Sequence, residues 1–269
     1  MPSTYAHKKF GALVYKKLKG DIKEIVAENY SYYLAGLHGP DVLFFHKTGY
    51  HSQVAEIGRA IHRTSFEKFY IHGAAQLYLN ASDERLAYFI GCMCHYMLDS
   101  ACHPLVNKAM DDVGMTHGKV ELELDRYIME KDGNTPIKYP VWAHIPVSME
   151  VAKEASDFYE GVKPEEYFLS LTTMKAVLMA CGANNDTVRQ TLCKVMEKTG
   201  NEGKIASLIM SRQKSINVRK NLKDMYNKMF SEVDVTAEII DKFVDYYADE
   251  FATFETPERL KMDFNGKRK

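Results

Sequence analysis

No run of about 20 apolar residues occurs in this 269-residue chain, so no segment is long and apolar enough to cross a membrane as a helix. The start, MPSTYAHKKFGALVYKKLKGDIKE, lacks the apolar core and small-residue cleavage site of a secretory signal, which predicts a cytoplasmic protein. Glycine and proline are sparse, at 16 and 8. With no repeat, low-complexity tract or linker-like stretch to divide the chain, one domain over residues 1–269 is predicted. Neither sign of charge is in excess, since 35 Lys and Arg stand against 36 Asp and Glu. That balance leaves no global field to draw nucleic acid or an anionic membrane. Cysteine is scarce and odd in number (Cys92, Cys94, Cys102, Cys181, Cys193), which fits reduced thiols better than a disulfide framework. Cys92 and Cys94 stand beside His95 but lack the second Cys/His pair of a structural zinc site. Also missing are the paired Glu-x-x-His of di-iron bundles, the His-Glu-x-x-His of zincins and the adjacent His-Asp of one phosphohydrolase class.

What is there is helical periodicity. Apolar residues recur at three- and four-residue spacing through most of the chain, and an all-α bundle is predicted. YKKLKGDIKEIVAENYSYYLAGLHGPD reads as one helix broken at Gly39-Pro40, and QVAEIGRAIHRTSFEKFYIHGAAQLYLN as a second amphipathic segment. A third helix opens at Ser82 as N-cap and is expected to stop near His103, before Pro104. THGKVELELDRYIMEK follows with Thr116 as its cap, then a loop to a new helix near Ser148. From residue 148 to 269, EEYFLSLTTMKAVLMACG, NDTVRQTLCKVMEKTG, SINVRKNLKDMYNKMF and TAEIIDKFVDYYADEFATF read as further helices, and DFNGKRK as a frayed tail. Most of the 17 tyrosines and 13 phenylalanines are expected in helix packing.

Chemistry concentrates in the first 130 residues. In GCMCHYMLDSACHPLV, His95, Asp99 and His103 are each four residues apart, so on a helix they drift by only about 80° and share one face. His117 and Glu121 repeat that spacing on the next helix. Upstream, Asp41 follows the Gly-Pro break, His62 lies on an amphipathic helix, and STYAHKKFG adds His7. Imidazoles mixed with carboxylates and no obligatory cysteine suit zinc in sites that keep a position open for water. Glu123 and Asp125 flank Glu121 and are expected on a solvated face or bonded to a ligating histidine. His38, His46, His51, His72 and His144 have no partner at helical spacing and are expected as ordinary core or surface residues, His51 being the nearest of them to a site through its proximity to Asp41.

The ordered motifs GPDVLFF, IGRAIH, HYMLDSACHP and HGKVELELD resemble the signature of the zinc-dependent phospholipase C family, whose wider fold group includes the S1/P1-type nucleases. The resemblance spans roughly residues 1 to 130. It implies an all-α fold enclosing two to three zinc ions and hydrolysis of a small-molecule or lipid phosphodiester. It also implies a first zinc on Asp41, His62, His95 and Asp99, a second on His103, His117 and Glu121, and a third on Asp99, His7 and the N-terminal residue. Asp41 is then the expected catalytic carboxylate, binding metal through one oxygen and orienting or deprotonating water with the other. A nuclease or small-molecule phosphodiesterase on the same scaffold, and a non-catalytic zinc-binding protein, stay open as alternatives, and nucleic acid enters only through the first of these.

Overall fold

The structure, a computed structural model, describes residues 4–48, 50–182, 208–210, 212–248 and 256–268. The described residues form ten α-helices and three short 3-10 turns, with no strand among them. The helices are α1 (Thr4–Lys17), α2 (Gly20–Glu28), α3 (Tyr30–Gly36), α4 (Gln53–Arg63), α5 (Phe66–Leu79), α6 (Asp83–Val113), α7 (His117–Lys131), α8 (Met149–Ser156), α9 (Pro164–Cys181) and α10 (Arg219–Ala248). The 3-10 turns are Gly39–Phe45, Pro136–Lys138 and Glu258–Lys261. The all-α class read from the periodicity is the architecture observed, and no helix among the described residues is long and apolar enough to cross a membrane.

α6 is the axis of the molecule. It is buried on nearly every face from Arg85 to His103, because α1, α2, α3, α7, α8 and α10 all pack against it. A helix surrounded in this way carries apolar residues all round, which is why its sequence shows little amphipathic pattern. α3 approaches it most closely. A Cβ built on Gly36 would fall 2.1 Å from the Tyr88 carbonyl oxygen, and one on Gly91 would fall 2.4 Å from that of Tyr33. Only glycine on both helices permits this crossing. Beyond it, Tyr88, Tyr159 and Tyr167 meet through their hydroxyls at 2.7 and 3.0 Å, so buried polar tips are paired inside an aromatic layer that includes Phe89 and Phe158.

Several element boundaries differ from the sequence reading. The first predicted helix is three: the chain turns at Gly20, which has φ +52°, and again at Asn29, whose side-chain amide donates to the Ile25 carbonyl at 3.1 Å. The second is split at Ser65, whose hydroxyl accepts the Glu67 amide at 3.2 Å and starts a new helix. α6 runs through Pro104 to Val113. The proline deletes one amide donor to Ser100, but Gly266 is seated on that carbonyl, where an added Cβ would fall 2.5 Å from the oxygen and 3.1 Å from Pro104 Cγ. Two predicted helices merge into α10, and the tail is not frayed, since Asp263 and Phe264 are buried. Ser82 and Ser148 cap α6 and α8 as expected, accepting the Arg85 and Val151 amides. Thr116 is the N-cap of α7 without a side-chain bond. The helix read in NDTVRQTLCKVMEKTG lies outside the described residues, as does Cys193; Cys92, Cys94, Cys102 and Cys181 are buried, and none of these four is in a disulfide.

Candidate metal centre

Five elements deliver the eight residues named from the sequence to one place. α1 brings His7. The 3-10 turn Gly39–Phe45 brings Asp41, two residues after Gly39, whose backbone lies against the His95 ring. α4 brings His62. α6 carries His95, Asp99 and His103 on one face, and α7 carries His117 and Glu121.

The contacts form a continuous chain. His62 Nε2 lies 2.9 Å from Asp41 Oδ1, and Asp41 Oδ2 lies 3.9 Å from His95 Nε2. Asp99 is central: Oδ2 is 3.5 Å from His95 Nε2, while Oδ1 is 3.1 Å from His7 Nε2 and 3.7 Å from His103 Nε2. Glu121 Oε1 closes the far side at 3.4 Å from His103 Nε2 and 3.1 Å from His117 Nε2. The donor atoms of His7, Asp41, His95 and Asp99 all lie within 4.8 Å of one another, and so do those of His103, His117 and Glu121. His7 joins the first group directly, its ring stacked on that of His95 with centroids 4.3 Å apart. The N-terminal residue, named for a third ion, lies outside the described residues.

Backbone carbonyls set the imidazoles. His62 Nδ1 is 2.7 Å from the Gly58 carbonyl, His95 Nδ1 is 3.1 Å from that of Leu37, and His103 Nδ1 is 2.6 Å from that of Phe264. A carbonyl only accepts, so each contact places a proton on Nδ1 and turns Nε2 into the cluster. The Leu37 contact follows from the Gly36–Gly91 crossing, one turn of α6 before His95.

The electrostatics are those of a site built around positive charge. Burial works to raise the pKa values of Asp41 and Asp99, yet adjacent histidines (His95 and His62 at Asp41; His103, His95 and His7 at Asp99) hold both below the usual carboxylate range. Glu121, opposed by the same burial, is held at about 2, with His103 and His117 beside it. Burial pushes His95 down to about 4, and the neighbouring His7 adds to this. His103 goes the other way, to about 9, because Asp99 and Glu121 outweigh its burial. His95 Nε2 is buried without a hydrogen-bond partner, and the 2.9 Å contact of His62 Nε2 with Asp41 Oδ1 lacks hydrogen-bond alignment. Inward-facing orphan atoms cost free energy unless something binds them. Five imidazoles and three carboxylates without sulfur are a donor set that fits zinc.

Other residues fall differently. Asp125 is buried and not on a solvated face. It continues the His117–Glu121 face by one more turn and accepts the Tyr5 and Ala6 amides at 2.9 and 2.8 Å, which pins the start of α1 and with it His7. Its i, i+4 spacing from Glu121 was the available signal. Glu123 is buried and pairs with Arg126 at 3.2 Å. His51 is exposed, and His46 bonds Ser52 at 2.6 Å. His38 and His144 meet through their Nε2 atoms at 2.9 Å, a pairing across 106 residues that no local spacing announces.

Two contiguous groups of histidines and carboxylates, enclosed by helices, form a candidate metal centre. The profile of the zinc dependent phospholipase C family matches residues 6–174, more than half of the chain, and the protein belongs to that family. No curated protein and no solved structure matches it.

Proposed function

We infer that the protein is a zinc-dependent phosphodiester hydrolase of phospholipase C type, acting on a lipid or small-molecule phosphodiester. Family membership supports the reaction class. The observation that carries the reading is Asp99, whose two oxygens reach His7, His95 and His103 and so stand between both donor groups. In this reading His7, Asp41, His62, His95 and Asp99 hold zinc on one side, His103, His117 and Glu121 hold it on the other, and Asp99 is shared. Two ions are the minimum for seven or eight donors, and a third would need the N-terminal residue.

Zinc held there lowers the pKa of a water ligand towards neutrality and offsets negative charge on phosphoryl oxygens. Asp41 orients the attacking water and takes its proton, with His62 and His95 holding the carboxylate ionised. His117, with 31% of its side chain exposed, marks the side from which a phosphodiester enters.

Elemental analysis of the purified protein, with turnover assays on phosphocholine esters and nucleotide diesters, tests this. At least two zinc ions per chain and chelator-sensitive hydrolysis of the phosphocholine ester are expected. Fewer than one zinc per chain overturns the metal assignment. Full zinc without turnover leaves a non-catalytic zinc protein, and preference for nucleotide diesters moves the chain to the nuclease side of the fold group.

A further inference from the structure

The end of the chain is built into the His103 side of the cluster. The Met262 carbonyl accepts the Phe66 amide at 2.9 Å. The Tyr96 hydroxyl lies 2.8 Å from the Arg259 carbonyl and 3.1 Å from that of Met262. Asp263 Oδ1 accepts the Asn265 and Lys267 amides at 2.9 Å each, and the Asp263 amide donates to the Lys267 carbonyl at 2.8 Å, so residues 263–267 close into a tight loop. That loop sits on α6 where Pro104 interrupts the hydrogen bonding. Phe264 is thereby delivered into the cluster at 1% exposure. Its ring centroid is 4.4 Å from that of His62 and 5.8 Å from that of His95, and its carbonyl oxygen meets His103 Nδ1.

We propose that the C-terminal segment from Met262 to Arg268 is a positioning element of the metal centre, in which the Phe264 carbonyl holds a proton on His103 Nδ1 and the Phe264 ring packs His62 and His95 in place. His103 is the joint between the two donor groups, since Nε2 lies within 3.7 Å of both Asp99 and Glu121. If the ring turned over, Nδ1 would face the cluster and Nε2 would lose its aim. The acceptor that prevents this comes from outside the family-matched stretch, which ends at residue 174, about 90 residues earlier. The proposal rests on the zinc reading above for its functional consequence, but the link between the tail and His103 exists without metal.

The test compares the full chain with Asp263→Ala, which opens the loop, a chain ending at Met262, and Phe264→Leu, which keeps the carbonyl. With 15N-labelled histidine, the Nδ1–H resonance of His103, assigned by its loss in His103→Gln, is followed in metal-free and zinc-loaded protein. Zinc affinity is read by competition with a chromogenic chelator, and helix content by circular dichroism. A resonance protected from solvent exchange is expected in the full chain and in Phe264→Leu. In Asp263→Ala and the shortened chain it exchanges away at unchanged helix content, and zinc affinity falls about 10- to 100-fold. Wild-type protection and affinity in both altered chains overturn the proposal. If the shortened chain does not fold, Asp263→Ala decides. If the full chain binds no zinc, the zinc reading falls, and the resonance in metal-free protein still decides whether Phe264 positions His103.

Discussion

At the scale of single residues, Asp99 and Asp41 have similar surroundings and different tasks. Asp99 touches three histidines from two donor groups, so Asp99→Asn is expected to lower the zinc content of both sides, whereas Asp41→Asn disturbs one. Elemental analysis of the two variants checks this, and equal zinc loss in both would remove the sharing role. Because Asp41 is assigned the proton, Asp41→Asn is further expected to lower turnover roughly 10²–10⁴-fold even at saturating zinc, read as kcat on a chromogenic phosphodiester. Part of the candidate cluster was legible in the sequence, because i, i+4 spacing survives translation into three dimensions. His95, Asp99, His103, His117 and Glu121 needed only a helix to converge. The carbonyls of Leu37, Gly58 and Phe264 were not legible, since every residue has one and only tertiary packing selects which meets a histidine.

At the scale of elements, the site depends on how tightly α3 and α6 cross. Gly91→Ala drives a methyl into the Tyr33 carbonyl, and the helices must separate. A loss of roughly 1–3 kcal/mol is expected, measured by denaturant unfolding, along with weaker zinc binding as Leu37 draws away from His95. Gly36 and Gly91 look unremarkable in sequence, where glycine inside a helix pattern signals only lowered propensity. Helix ends were legible where a serine hydroxyl caps them, as at Ser82 and Ser148. They were misjudged at Pro104, where the loss of one hydrogen bond is outweighed by burial along α6. The thiols of Cys92, Cys94 and Cys102, all on α6, are pushed up to about 12 by burial. Each is expected to resist alkylation in the native protein and to react after unfolding, as mass spectrometry of iodoacetamide-treated samples would show.

For the whole molecule, zinc binding and folding are expected to form one equilibrium. Chelation is expected to lower the melting temperature by roughly 10 °C, a shift that corresponds to a ligand present at about 1,000 times its Kd. No shift would mean that the cluster does not hold its ion when folded. Acid acts separately on the metal-free protein. His38, buried and beside His144, stays well below the ordinary imidazole value, and burial pushes His144 down to about 3. Both fold neutral, so the unfolded chain binds more protons once the pH drops under about 6.5. Stability is full above that pH and is lost as it falls towards 3. Melting temperatures at pH 7.5, 6 and 5 should decline, and the decline should be shallower in a His38→Leu/His144→Leu double variant. The all-α architecture was legible from periodicity alone, but the course of residues 262–268 was not. A short polar tail carries no pattern, and its place is decided by a groove that α5 and α6 form only after folding.

The three carbonyls behind His62, His95 and His103 have a genetic consequence. A main-chain oxygen survives side-chain replacement, so these supports can persist while Leu37 and Phe264 change in identity; Gly58 has less freedom, since an added Cβ would fall 2.9 Å from the Pro40 carbonyl oxygen. A scan of single substitutions would find their hydrogen-bonding role silent and record only packing losses. Deletions and insertions close to these positions would expose it instead, because they move the oxygen itself. Part of what makes this centre work is therefore written in the spacing of the chain, where comparison residue by residue does not look.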